Sequence, residues 1–167
     1  RDGAGQTIEE RRQELIAKMG ENMSVRRVVQ LSSGGGRIGA YLHGGLIGVM
    51  VDVTGGSDDT IKDLAMHIAA TNPLGVRDED VPEETVRRER DIYQAQALET
   101  GKPENVITKI VDGKMSKFFK ENCLLNQAYV RDPELTVEDI LNELIAKIGE
   151  NITIKRFVRF QTGEAAE

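Results

Sequence analysis

Nine residues from Glu14, ELIAKMGEN, return from Glu143 as ELIAKIGEN with a single change, and no other feature limits the possible folds as strongly. The correspondence continues on both sides. Upstream, Thr7, Ile8, Glu9 and Glu10 face Thr136, Val137, Glu138 and Asp139; downstream, Ser24, Val25, Arg26, Arg27, Val28 and Val29 face Thr153, Ile154, Lys155, Arg156, Phe157 and Val158. One supersecondary unit is used twice, which predicts two related subdomains, residues 1–72 and residues 73–167.

The unit can be read from its residue types. Thr7 with Glu10 three positions on is a capping-box start, and Gly20 suits a left-handed helix stop. Between them Ile8, Leu15, Ile16 and Met19 recur near helical spacing, whereas Val25, Val28, Val29 and Leu31 form a β-branched run that predicts a strand over residues 24–31. A Gly-rich turn at residues 32–36 then leads to a strand at residues 37–42, and His43-Gly44-Gly45 leads to another at residues 46–53, apolar on both faces and hence central. Three strands joined by short turns predict an antiparallel meander. Gly48 interrupts the last of them, where a glycine marks either plain packing or the close approach of another backbone.

The middle of the chain reads as helical. Ser57, Asp58 and Asp59 cap a helix whose core stripe is Ile61, Leu64, Ala65, Ile68 and Ala69, ended by Asn72-Pro73. His67 lies at the edge of that stripe, a position that more often holds a hydrogen-bonded boundary residue than a ligand. A helical hairpin is expected at residues 82–121: a charged first arm with a narrow seam of Val86, Tyr93 and Ala97, and a second arm with the stronger apolar face, expected to pack on the body of the protein. Residues 122–131 read as an extended segment along the core. The fold class is therefore α+β, antiparallel strands packed with helices, with a helical hairpin added. Residues 1–6 and 161–167 are expected to be frayed ends.

Chemistry is sparse. The chain has 167 residues, a net charge of −6, two histidines and one cysteine. An acidic balance argues against a broad nucleic-acid surface, which needs clustered Lys and Arg. Cys123 alone can form no internal disulfide, which points to a reducing compartment and a buried thiol. No metal-ligand spacing, Walker motif, dinucleotide fingerprint or Gly-x-Ser-x-Gly elbow is present. A binding or structural protein is thus favoured over an enzyme.

Five segments, IAKMGENMSVRRV, HGGLIGVMV, LAMHIAA, ETGKPENVITKIVDGKMSKFFKE and CLLNQAYVRDP, resemble the elongation factor Ts family in the family's order, over nearly the whole chain. The resemblance implies a nucleotide-exchange factor for elongation factor Tu in bacteria, plastids or mitochondria, acting without cofactor, metal or covalent intermediate. It implies partner contacts at Ile47, Gly48, His67, Val130 and Arg131, with Tyr129 beside them, and raises the functional reading of Gly48 and His67 above the packing one. Through the region by which some relatives pair, it also implies weak self-association along the first hairpin arm. The chain begins after the family's N-terminal helical domain and its Thr-Asp-Phe segment, which predicts docking with weakened exchange. The alternative is a ribosome-associated or structural module that keeps the fold without exchange.

Overall fold

The computed structural model describes residues 5–164. Of the frayed ends expected from sequence, residues 1–4 and 165–167 lie outside the described residues. The chain divides into two compact units, one within Arg1–Gln30 and the other Leu31–Glu164.

In the first unit, helix α1 (Ile8–Met19) starts and stops as its sequence requires. The Glu10 carboxylate accepts from the Thr7 amide at 2.7 Å, Thr7 Oγ1 accepts from the Glu10 amide at 3.1 Å, and Gly20 closes the helix at φ 72°. Arg12 then donates to the Met23 carbonyl at 2.9 Å, tying the outgoing chain to the helix. The strand expected over residues 24–31 does not form. Its β-branched side chains favour an extended backbone, but a strand also needs a neighbour to bond to. Val25 and Val28 remain more than half exposed.

The second unit is built on a three-stranded antiparallel sheet, in the order β1 (Arg37–His43), β2 (Ile47–Thr54), β5 (Thr153–Gln161). The central position of β2 agrees with its apolar run. The expected meander is corrected, because its third strand comes from the second copy of the repeat and not from residues 24–31. Val49, Val51 and Val53 face a core closed by helix α2 (Asp58–Thr71) and helix α5 (Val137–Ile148), together with Ile61, Leu64, Ile68, Val137, Leu141 and Ile154. This core draws on residues from both sides of position 72. A bulge falls where β2 passes from Asp52 to Val53, so that Asp52 pairs with Arg156 and Val53 with Ile154. The intervening Lys155 reaches out to the Gly34 carbonyl, Arg156 bonds the Ser32 carbonyl and Ser33 bonds the buried Asp52 carboxylate. The Gly-rich turn is thereby pinned to one end of the sheet.

The two copies of the repeat differ in burial for a reason visible in their letters. Both helices carry the capping box and the left-handed glycine, yet α1 has Arg11 and Arg12 where α5 has Ile140 and Leu141. Leu141 and Val137 are buried, whereas α1 buries no residue. Two added apolar side chains widen the stripe enough to enter a core.

Helix α3 (Glu83–Leu98) and helix α4 (Glu104–Asn122) form the expected hairpin. Here the packing expectation is corrected: Ile107, Val111, Met115 and Phe118 of α4 close with Ala97, Val81 and Cys123 into a cluster of their own, with Val86 and Tyr93 against it. The apolar face of α4 is covered by α3. Residues 122–131 are also not one extended run. Leu124–Asn126 makes a single 3-10 turn, and β3 (Ala128–Tyr129) pairs with β4 (Asp132–Thr136), which delivers Thr136 as the cap of α5. At the far end, the Glu164 carboxylate accepts from the Gln161 amide and from Arg159, so residues 161–164 form a bonded turn where a frayed tail was expected.

Candidate functional site

Four of the six residues singled out from sequence meet at one place. His67 projects from α2 and is fully buried, at 0 % exposure. Its ring stacks on Tyr129, centroids 5.8 Å apart and 23° between planes. Nε2 lies 3.0 Å from Gln127 Oε1, and Nδ1 lies 3.3 Å from the Val130 amide nitrogen. Tyr129 is itself buried, while Val130 is exposed and the Arg131 side chain reaches outward to Asp63 at 2.7 Å. A tight β3–β4 turn thus presents Val130 and Arg131 at the surface above a buried polar support.

The polar atoms of that support account for one another. Gln127 Nε2 donates to the Glu121 carbonyl at 2.8 Å, which fixes the amide so that Oε1 faces His67. Thr71 Oγ1 lies 2.9 Å from the same Oε1 and 2.9 Å from the His67 carbonyl. Burial lowers the His67 pKa below its ordinary value and so favours the neutral ring, opposed by the Gln127 bond. Burial raises the Tyr129 pKa, with Asp63 adding to the effect and Arg131 opposing it. Gln127, Thr71 and Asp63 were missed in the sequence reading. Thr71 follows His67 by four positions on one helix face, and Gln127 is one of two adjacent amides, with Asn126, inside an otherwise apolar run; those were the available signals.

The remaining two residues sit on the central strand, with opposite orientations. Ile47 pairs with His43 and Gln161 and packs at the edge of the sheet core. Gly48 pairs with Leu42 and Phe160 and belongs to the other face, which also carries Ala40, Met50 and Val158. A Cβ on Gly48 would meet nothing nearer than Leu42 Cδ1 at 4.0 Å. Internal packing therefore does not require a glycine there. Gly39 on β1 is the opposite case, since a Cβ at that position would collide with Ile61 Cγ2, and its absence lets α2 lie close on the sheet.

Among the described residues no group of three or more His, Cys, Asp or Glu side chains is placed to hold a metal ion. Burial and the neighbouring Asp78 push the Cys123 thiol up to about 12. No described helix is long and apolar enough to cross a membrane.

The chain matches the family model described as Elongation factor TS over residues 2–164. It is 55 % identical over 139 residues to elongation factor Ts of Desulfosudis oleivorans, covering 77 % of this chain and 70 % of that protein. With the Caldanaerobacter subterraneus elongation factor Ts it shares 52 % identity over 142 residues, covering 79 % of this chain and 71 % of the relative. The Methylococcus capsulatus protein of the same name is 45 % identical over 164 residues, which are 98 % of this chain and 54 % of the relative, so this chain spans about half of its length. With the match running through the repeat, the sheet, the hairpin and the loop above His67, the chain belongs to the elongation factor Ts family.

Proposed function

We propose that this chain binds elongation factor Tu and promotes release of its GDP through protein–protein contact alone. The family match over residues 2–164 carries the reading. Exchange by contact needs no reacting group on this chain. It needs a surface with higher affinity for the nucleotide-free partner than for the GDP-bound one, because the two ligands weaken each other's binding by the same factor. Val130 and Arg131 are the exposed residues proposed to touch the partner at the β3–β4 turn, with Tyr129 and His67 beneath them. Ile47 and Gly48 form a second proposed contact on the central strand, where the free space over Gly48 supports the approach of a partner's backbone.

Calorimetric titration of this chain into elongation factor Tu, once nucleotide-free and once saturated with GDP, tests the reading. Tighter binding to the nucleotide-free form is expected; equal affinities contradict it, since a ligand that does not distinguish two states shifts neither. We place this action in the compartment where bacterial-type translation runs, the bacterial cytoplasm or an organelle. Weak self-association is a separate proposal, and one that no longer rests on Val86, Tyr93 and Ala97, which α4 covers. A sedimentation mass that stays monomeric at every concentration would contradict it.

A further inference from the structure

We infer that His67 is a positioning residue for the partner contact: its unprotonated Nδ1 accepts the Val130 amide and so holds Val130 and Arg131 in the presented conformation. The inference rests on the proposed binding of elongation factor Tu and adds how the loop is kept ready for it. The hydrogen bonds fix the chemistry step by step. Because Gln127 Nε2 is turned to the Glu121 carbonyl, the atom facing the imidazole is Oε1, an acceptor, and His67 Nε2 must carry the proton. A neutral ring has one proton, which leaves Nδ1 as a lone pair aimed at the Val130 amide 3.3 Å away. With the ring at 0 % exposure, its effect on a partner is exerted through the residues it holds.

Protonation would break this arrangement locally. An imidazolium donates from both nitrogens, so a second N–H would face the Val130 N–H and the amide would lose its acceptor. Charged groups lie on the elements that carry the ring's partners: Asp63 on α2 pairs with Arg131 after β3, and Lys117, Lys120 and Glu121 of α4 line a cavity with Thr71 and Gln127. Tyr129 is the titratable group in ring contact. The Asp63–Arg131 pair supplies a second tie on the same turn, so loss of the His67 bond frees one end of the turn and leaves the other anchored.

The test uses the full chain. Nitrogen-detected NMR of the imidazole should show Nε2 protonated and Nδ1 bare at neutral pH, with the Val130 amide protected from hydrogen exchange. The opposite tautomer overturns the inference. His67→Phe keeps a flat ring against Tyr129 and removes the acceptor; it should expose the Val130 amide and weaken binding to nucleotide-free elongation factor Tu by about tenfold, a difference of about 1.4 kcal/mol. The loss should shrink when Val130 is already Ala, because two residues acting through one contact are not additive. Full additivity, or a Val130 amide still protected in His67→Phe, contradicts the positioning role. If His67→Phe does not fold, acid titration of the unaltered chain gives the same information: the Val130 amide must lose protection as His67 takes up its proton, and protection that persists overturns the inference. Failure of the unaltered chain to bind the partner would sink the proposed function and leave the tautomer and exchange results standing.

Discussion

At the scale of single residues, the two strand glycines behave oppositely, and only one of them is a candidate for function. Gly39 is required by Ile61, whereas Gly48 has open space where its side chain would be. A β-branched residue is at home in a strand, so Gly48→Val should leave the thermal midpoint unchanged or raised while lowering affinity for elongation factor Tu. Unchanged affinity in the folded variant would return Gly48 to a purely structural role. His67 carries a pH signature. Its pKa is lowered in the folded state from an ordinary value of 6.5, so as pH falls the unfolded chain takes up the proton first. Stability should therefore be flat above about pH 7 and decline through about pH 6.5 and below, a slope that His67→Phe removes when denaturation midpoints are compared. Sequence placed His67 at the edge of a core stripe as a hydrogen-bonded boundary residue; the hydrogen bonds are present, but the ring is fully buried and not at a boundary. Its two partners were not legible, because Gln127 lies 60 positions away and only the folded chain brings it near.

At the scale of elements, caps were legible and pairings were not. Thr7, Thr136, Ser57 and the closing glycines act within a few residues of themselves, so spacing alone reveals them. The strand expected over residues 24–31 depended on a neighbour that local sequence cannot supply. The second copy shows what that neighbour does: Ile154 and Phe157, equivalents of Val25 and Val28, pair with Val53 and Val51 and contribute to the core. The substitution of Arg11 and Arg12 for Ile140 and Leu141 was visible throughout and marks which helix enters the core. Leu141→Ala should cost about 2–5 kcal/mol as a core truncation. Ile8→Ala, at a position 53 % exposed, should stay within about 0.5 kcal/mol. Denaturant unfolding of the two variants decides this, and equal losses would contradict the assignment of α5, and not its counterpart α1, to the buried core.

At the scale of the whole molecule, the proposed contact surface and the scaffold occupy different parts of the repeat pattern. The repeated helix and strand supply α5 and β5, which close the sheet core; the proposed contacts lie between the two copies, on β2 and on the turn after β3. Fold class was legible because helical and strand periodicities survive in single segments, while the assembly of β1 and β2 with a strand from more than a hundred residues later was not. The most direct measurement is the rate at which fluorescent GDP leaves elongation factor Tu as this chain is added. Exchange by contact predicts a rate that rises with chain concentration and saturates, with the curve displaced to higher concentration by Gly48→Val and His67→Phe. A release rate that stays at the intrinsic value with elongation factor Tu saturated by the folded chain would contradict it.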